Sequence, residues 1–422
     1  MATYINTSLD PCDDFFSYVC SNAIRYALSE DTIQEEQLQR AMVTGVMPNN
    51  VPMLQAGHFL NTYYKTCVQT ILNRHSFANG TVNALLRKEA DLLKKIDSRK
   101  AMVFLMVSAF KYSLRSCIAI FGVCAESVFK MEELWSLFQV EVLTSNDKDI
   151  VAKQVFASVR DVMHRQLRTS TLIEVEDFDN VASFFKNVTL RTPMSETYAS
   201  IPVPNATLDF AENLLRGRAY DVTISIARWT SMVATAISSH RGVLVINYRH
   251  IILSPFWYNF IFPTSANIQL LNMAVLGQLM AEILWVLALY AVPWEQTTAS
   301  NLRNLTTCFT DVYLQNFDDA SESSSVLFMA LSFSTLAKSL NSPEWHTVKP
   351  AWSLWSFSHA QFFYIFSNYY RCPKVSSPKD KFFMNIPLMY VEDFATAFKC
   401  SSNTPMKTPR RCVKLDGGEY GT

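Results

Sequence analysis

Apolar residues fall at helical spacing along much of the chain. Phe15, Phe16, Tyr18, Val19 and Ile24 sit near that spacing and predict helix within residues 10–45. Asn146 to Leu167 carries Ile150, Val151, Val155, Val159 and Val162, close to an i, i+4, i+8 repeat, and predicts one amphipathic helix. Residues 83–143 alternate charged and apolar stretches and predict two or three long helices. Leu208 to Leu215 and Trp294 to Phe309 add further helical segments. Val243 to Ile252 is rich in β-branched residues and predicts a short strand, with Pro255 and Pro263 punctuating the loop beyond it. The last third mixes helices with loops that hold Pro373, Pro378 and Pro387. No internal repeat or low-complexity tract is present.

One run stands apart. Leu270 to Val292 is apolar nearly all round, with Asn272, Gln278 and Glu282 inside it. It reaches membrane-spanning length. Yet a glutamate near its middle is costly in lipid, and no basic flank sets an orientation. A helix apolar all round is also what the core of a large protein contains, so the pattern favours a buried helix over a span.

Composition changes this picture little. Lys+Arg and Asp+Glu both number 37, so no charge excess steers the chain toward nucleic acid or anionic lipid. Apolar residues make up 49% and charged ones 18%, which excludes intrinsic disorder and supports a large core. Glycine occurs only 10 times in 422 residues, against a usual share of about 7%, which disfavours folds built on many tight turns.

The nine cysteines do change it. They cluster toward the two ends, none is spaced C-x-x-C, and the pattern is that of disulfides stapling the termini. Sequons occur at Asn6, Asn79, Asn187, Asn205 and Asn304. Together these features predict an extracellular or secreted setting. Met1 to Tyr4 opens no signal peptide, so a leader is expected to have been removed or to lie outside this chain.

The most specific segment is Asp10-Pro11-Cys12-Asp13-Asp14-Phe15-Phe16-Ser17-Tyr18-Val19-Cys20. It resembles the P-C-x-D-F-[YF]-x-Y-x-C opening of the neprilysin/endothelin-converting-enzyme family of zinc metalloendopeptidases. Ala397-Phe398-Lys399-Cys400 and Cys412-Val413-Lys414-Leu415 resemble that family's A-F-x-C and terminal C-x-[VI]-W, with Leu415 in place of the Trp. His359 to Phe363 leading to Cys372, Trp294 to Cys308, Val326-Leu327, and Ser254 to Trp257 match further family segments. The resemblance covers most of the chain in pieces. It implies a mainly α fold with a few short strands on a gluzincin-type catalytic-domain scaffold. It also implies the disulfides Cys12–Cys400, Cys20–Cys372, Cys67–Cys117 and Cys308–Cys412, leaving Cys124 over.

In the family a long region between the counterparts of Cys67 and Cys117 builds most of a second lobe roofing the catalytic chamber; here only 49 residues stand there. Most of that lobe is therefore expected to be missing. The implied organisation is an N-terminal segment 1–67, a reduced helical remnant 68–145, a metallopeptidase-like domain 146–415, and a tail 416–422.

Gluzincin chemistry needs two histidines one helical turn apart to hold Zn²⁺, and a glutamate beside the first to activate the metal-bound water. The chain contains no H-E-x-x-H. Anchored on Asn272 and Gly277, the family helix aligns so that Glu282-Ile283-Leu284-Trp285-Val286 occupies the motif. Glu282 then stands for the first ligand, Ile283 for the general base and Val286 for the second ligand. The third ligand falls at Asp318 and its supporting aspartate at Glu322. The substrate-clamping Asn-Ala becomes Thr235-Ala236, the oxyanion-stabilising His becomes Ser376, and the nearby Arg becomes Phe382 or Phe383.

Ile283 has no proton acceptor and Val286 no lone pair, so zinc and catalysis are expected to be lost. Glu282 with Asp318 and Glu322 would offer only oxygen ligands, a set suited loosely to Ca²⁺ or Mg²⁺. The apolar residues around Glu282 are read as core filling. No metal spacing occurs among the seven histidines, and Ser376-Ser377 with His359 lacks a nucleophile elbow. The aromatic clusters at 256–260 and 362–370 are read first as core, and as the lining of a peptide groove if the roof is gone.

The resulting expectation is a non-catalytic extracellular protein that binds a peptide or protein ligand, without cofactor, nucleic acid or a membrane anchor in this chain. Three alternatives stay open. One is an active zinc endopeptidase working through a rearranged site. The others are a membrane protein using residues 270–292 and a gene model lacking an exon.

Overall fold

Along the chain the helices are α1 (Phe15–Arg25), α2 (Glu30–Thr44), α3 (Gln55–Ser76), α4 (Glu132–Leu143), α5 (Asn146–Leu167), α6 (Phe178–Asn187), α7 (Phe210–Ser231), α8 (Ala266–Asn272), α9 (Gln278–Ala291), α10 (Gln296–Leu314), α11 (Ser323–Leu340), α12 (His359–Tyr369), α13 (Pro378–Met389) and α14 (Glu392–Phe398). Among the described residues four short strands accompany them, β1 (Thr189–Arg191), β2 (Ala234–Ile237), β3 (Val243–Ile246) and β4 (His250–Leu253). This computed structural model describes residues 5–25, 30–45, 53–76, 124, 127–128, 131–191, 202–231, 234–237, 243–246, 248–253, 255–262, 266–340, 357–373, 375–407 and 412. The chain divides into two compact units, 1–33 with 145–192 and 233–422, and 34–144 with 193–232.

In the first unit, α5 starts where its sequence dictates. Ser145 accepts the Lys148 backbone N–H, Asp147 and Asp149 occupy the first turn, and His164 and Arg165 the last, each complementing the helix dipole. Its buried stripe is Ala152, Val155, Phe156, Val159 and Met163, while Ile150 is exposed. The apolar face is thus rotated from the one that a pure i, i+4 reading of the valines gives. Residues 10–14 form turns rather than helix; Asp10 accepts the Cys12 N–H, and α1 begins at Phe15.

The segment Val243 to Ile252 is a hairpin, not one strand. β3 and β4 pair antiparallel with Ile246 opposite His250, and Tyr248 between them takes a positive φ of 54°. Runs of β-branched residues do not reveal an internal turn when no Gly or Pro marks it. The sheet order is β1-β4-β3-β2, with β1 parallel to β4 and β2 antiparallel to β3. Pro387 lies inside α13 rather than in a loop. It stands in the last turn, where it removes one i→i−4 hydrogen bond just before the helix ends.

The long apolar run is core. Residues 269–291 are 83% buried over their most apolar window. The helix is interrupted by a π-turn, Met273–Gly277, before α9. A Cβ at Gly277 would meet the Met273 sulfur, with Val159 of α5 just beyond, so glycine permits this close approach. α11 packs alongside α9, with α10 in turn against α11, and Trp285 donates its Nε1–H to Thr335 at 3.0 Å.

Three disulfides hold this unit: Cys12–Cys400, Cys20–Cys372 and Cys308–Cys412. The first spans 388 residues, which a chain-entropy model values at about 5–6 kcal/mol. Once it is closed, the second bridge encloses only a short loop and adds less.

In the second unit, Glu141 of α4 accepts the backbone N–H groups of Ala56 and Gly57, both at 2.9 Å, and so caps α3. Burial raises the Glu141 pKa, and these two hydrogen bonds oppose it. Gly217 lets α7 approach Met131 and Phe59, because a Cβ there would meet both side chains. Gly45, at φ +75°, closes α2 in the left-handed conformation, its N–H bonded to Ala41.

This unit holds the one disulfide that departs from the expected set: Cys67 bonds Cys124, not Cys117. Cys117 and Cys124 are seven residues apart, a spacing that repeats one helix face, so sequence pattern offers both equally. Cys117 lies outside the described residues, as do 83–123 of the long helical stretch apart from those named. The units also differ from the contiguous division expected. Residues 34–67 fall with 68–144, and 193–232 join them from a second pass of the chain. The helix expected at 208–215 runs instead from Phe210 to Ser231.

Candidate functional site

Glu282 sits on α9, 7% exposed, in a helix segment whose neighbours Ile283, Leu284 and Trp285 are also buried. A lone carboxylate there needs a counter-charge. Arg371, directly after α12, supplies it: Nη2 lies 2.8 Å from Glu282 Oε2. The same Nη2 donates to Gln278 Oε1 at 2.8 Å. Gln278 sits one turn before Glu282 and donates its Nε2–H to Glu282 Oε2 at 3.3 Å and to Ser332 Oγ at 3.2 Å. Tyr370 donates its hydroxyl to Gln278 Oε1 at 3.0 Å and accepts from Arg371 Nε at 3.0 Å.

Burial opposes the charge on Arg371. The neighbouring Tyr370 and the Glu282 carboxylate outweigh that penalty and hold its pKa above the ordinary guanidinium value. The network is therefore an ion pair, an amide and two hydroxyls that satisfy one another within core. Trp257 closes it edge-on to the Tyr370 ring at 5.3 Å.

The other aligned positions go elsewhere. Asp318 is exposed in the turn after α10. Glu322 pairs with Lys379 at 2.8 Å near the surface. Ser376 is exposed in the loop before α13, beside Ser377. Ser377 forms a capping box with Asp380: it accepts the Asp380 N–H at 3.2 Å and donates its own N–H at 2.9 Å. Phe382 and Phe383 pack on Tyr313 at ring-centroid distances of 5.6 and 5.9 Å. Thr235 and Ala236 lie on β2, which pairs only with β3 among the described residues, with Thr235 opposite Val245.

The structure thus sends the three aligned carboxylates to three different environments. Among the described residues no three His, Cys, Asp or Glu side chains converge as metal ligands. The donor set does not fit zinc. Val286 offers no lone pair, and Glu282 already accepts from a guanidinium and an amide, so a cation there would have to displace Arg371. Among the described residues the aromatic clusters are mainly core: Trp257, Tyr258, Phe363, Tyr364 and Tyr370 are buried, and Phe362 is half-buried. The cavity beside Trp285, lined by Leu289, Trp294, Leu302, Leu327 and Leu331, is apolar and smaller than one side chain.

Arg371 and Ser332 were not singled out from sequence, and Gln278 and Tyr370 were noted only as members of an apolar run and an aromatic cluster. The signal for Arg371 is a single cation at the end of the apolar run 362–370, the natural complement of a single anion in the apolar run 270–292. Of the sequons, Asn187, Asn205 and Asn304 are exposed, Asn6 is half-buried, and Asn79 lies outside the described residues.

No family model matches the chain, and no curated protein matches its sequence. Solved structures do. The zinc metalloprotease Zmp1 of Mycobacterium tuberculosis with an inhibitor aligns at a TM-score of 0.50 and 12% identity, over 69% of this chain and 50% of that one. The chain therefore spans about half the length of that metalloprotease. A Haemonchus galactose-containing glycoprotein complex chain aligns at a TM-score of 0.60 and 11% identity, over 97% of each chain. The fold is mainly α and zinc-metalloprotease-like.

Proposed function

We propose that this chain is a non-catalytic, neprilysin-like protein of the extracellular space that binds a peptide or protein rather than cleaving it. The observation that carries this reading is the Glu282–Arg371 pair. The residue aligned with a metal ligand already holds a protein cation through its Oε2, inside a largely buried hydrogen-bonded network. Ile283, aligned with the general base, is a buried hydrocarbon. The four disulfides favour an oxidising compartment. Glycans at the exposed sequons Asn187, Asn205 and Asn304 belong to the same reading. The edge strand β2, with Thr235 and Ala236, is where an extended peptide would add to the sheet.

The test incubates the purified chain with a panel of short peptides and added Zn²⁺, and measures bound zinc by mass spectrometry. The reading expects no cleavage and no stoichiometric zinc. Cleavage that a zinc chelator abolishes would establish the rival, an active metalloendopeptidase.

A further inference from the structure

The second unit carries an apolar stripe on the outer face of α7. Asn213, Gly217 and Tyr220 face inward and are buried. On the opposite face Leu208, Leu215 and Val222 recur every seven residues and are 95%, 70% and 57% exposed. The exposed Ala211 and Ala219 lie between them, and the exposed Arg218, three residues past Leu215 and four before Val222, borders the same stripe. Leu208 precedes the helix, yet its position is fixed. Thr207 donates its N–H to Asn213 Oδ1 at 2.7 Å, Asn213 Nδ2 donates back to the Thr207 carbonyl at 2.8 Å, and Asp209 Oδ1 caps the Glu212 N–H at 2.9 Å. A large apolar side chain held rigidly in water at the start of such a stripe marks an interface.

The flanking charges say what covers it. Glu212 and Arg216 lie side by side on one flank, paired at 2.6 Å, and the Asn205 carbonyl fixes the guanidinium from the other side at 2.7 Å. If a second copy lies antiparallel about a two-fold axis at Leu215, Leu215 meets itself and Leu208 meets the other copy's Val222. Glu212, three residues before the axis, then comes beside the other copy's Arg216, one residue past it. The same flank is thus both acid and base, which is what an isologous contact needs. We infer that α7 forms a two-fold antiparallel helix pair with a second copy of this chain. The paired length, about 21 Å, is at the small end of specific interfaces, so the dimer dissociates on dilution.

Sedimentation of the full chain tests this across a wide concentration range, with and without Asn205→Gln because that sequon borders the flank. The mass should rise from 48.0 kDa toward twice that value in at least one form, and Leu215→Glu should hold it at a single chain without changing the melting temperature. Glu212→Arg should weaken the dimer, and adding Arg216→Glu should restore it. In a Cys117→Ser background, Leu215→Cys should cross-link to itself. Leu208→Cys and Val222→Cys should cross-link to each other when mixed, and neither to itself. A monomer at every concentration in both forms overturns the inference. So does a dimer that survives Leu215→Glu, or self-cross-linking through Leu208→Cys.

Discussion

Two carboxylates in the first unit, each paired with a cation, occupy opposite physical regimes. Glu282 lies in core with its side chain 10% exposed, and its partners Arg371 and Gln278 are also largely out of water. Asp14 lies where the termini are stapled. Its side chain is 21% exposed, and it accepts from Lys381 at 2.8 Å, from Asn385 at 2.8 Å and from Ser17 at 2.6 Å. In the first case Glu282 cannot retreat to water and Arg371, 23% exposed, can do so only in part, so the acid depends on its partner. In the second, solvent supports the lysine, and the acid is held by neutral hydrogen bonds as much as by charge. A buried pair is therefore a fixture of the fold, whereas a half-wet pair is a modest adjustment to it. That contrast is why Glu282 is read as structural rather than as an idle ligand.

The sharpest way to break the comparison is Arg371→Met. It strands a charged or newly protonated Glu282 in core and should cost about 3–5 kcal/mol in denaturant unfolding. Adding Glu282→Gln should recover most of that loss, because no buried charge is then left unpaired. If the double variant is no better than the single one, the pair is not what holds this region.

Next in size is the covalent staple beside Asp14. Replacing Cys12 and Cys400 together by Ser should cost about 2–5 kcal/mol, less than the full chain-entropy value because Cys20–Cys372 still closes most of the same loop. Peptide mapping of the unaltered chain should recover the Cys67–Cys124 linkage and no Cys67–Cys117 linkage.

The smallest effect concerns Asp14 itself. Burial opposes its charge, but hydrogen bonds from Asn385, Lys381 and Ser17 win and lower its pKa to about 2. Because the folded value lies below the unfolded one, the stabilisation is complete above the unfolded carboxylate range. It is lost as pH falls from about 4 to about 2. Discounted for solvent exposure it amounts to about 1 kcal/mol. Asp14→Asn should remove it at neutral pH and flatten the acid limb of stability measured by thermal unfolding. An equally steep acid limb in the variant would place that sensitivity elsewhere.

What was legible in the sequence follows from how local each feature is. The run 270–292 was readable as core because all-round apolarity with one acid inside it suits few other environments. The terminal bridges came through a resemblance at both ends of the chain. Arg371 was not legible as the partner of Glu282, since 89 residues separate them and only packing brings them together. Cys124 was not separable from Cys117, because a seven-residue spacing preserves helix phase. The turn at Tyr248 carries no Gly or Pro to announce it. The second unit escaped notice as a unit because it is assembled from two stretches far apart in the chain.

The bridge between Cys12 and Cys400 also sets an order of events during synthesis. The first of these cysteines leaves the ribosome 388 residues before the second. At about 5–20 residues per second, that is a wait on the order of 20–80 s. Throughout it Cys12 and Cys20 are nascent thiols, while Cys67 and Cys124 emerge close behind as the wrong partners within reach. Any early pairing of Cys12 or Cys20 with Cys67 or Cys124 must therefore be exchanged before Cys372 and Cys400 can close the native bridges.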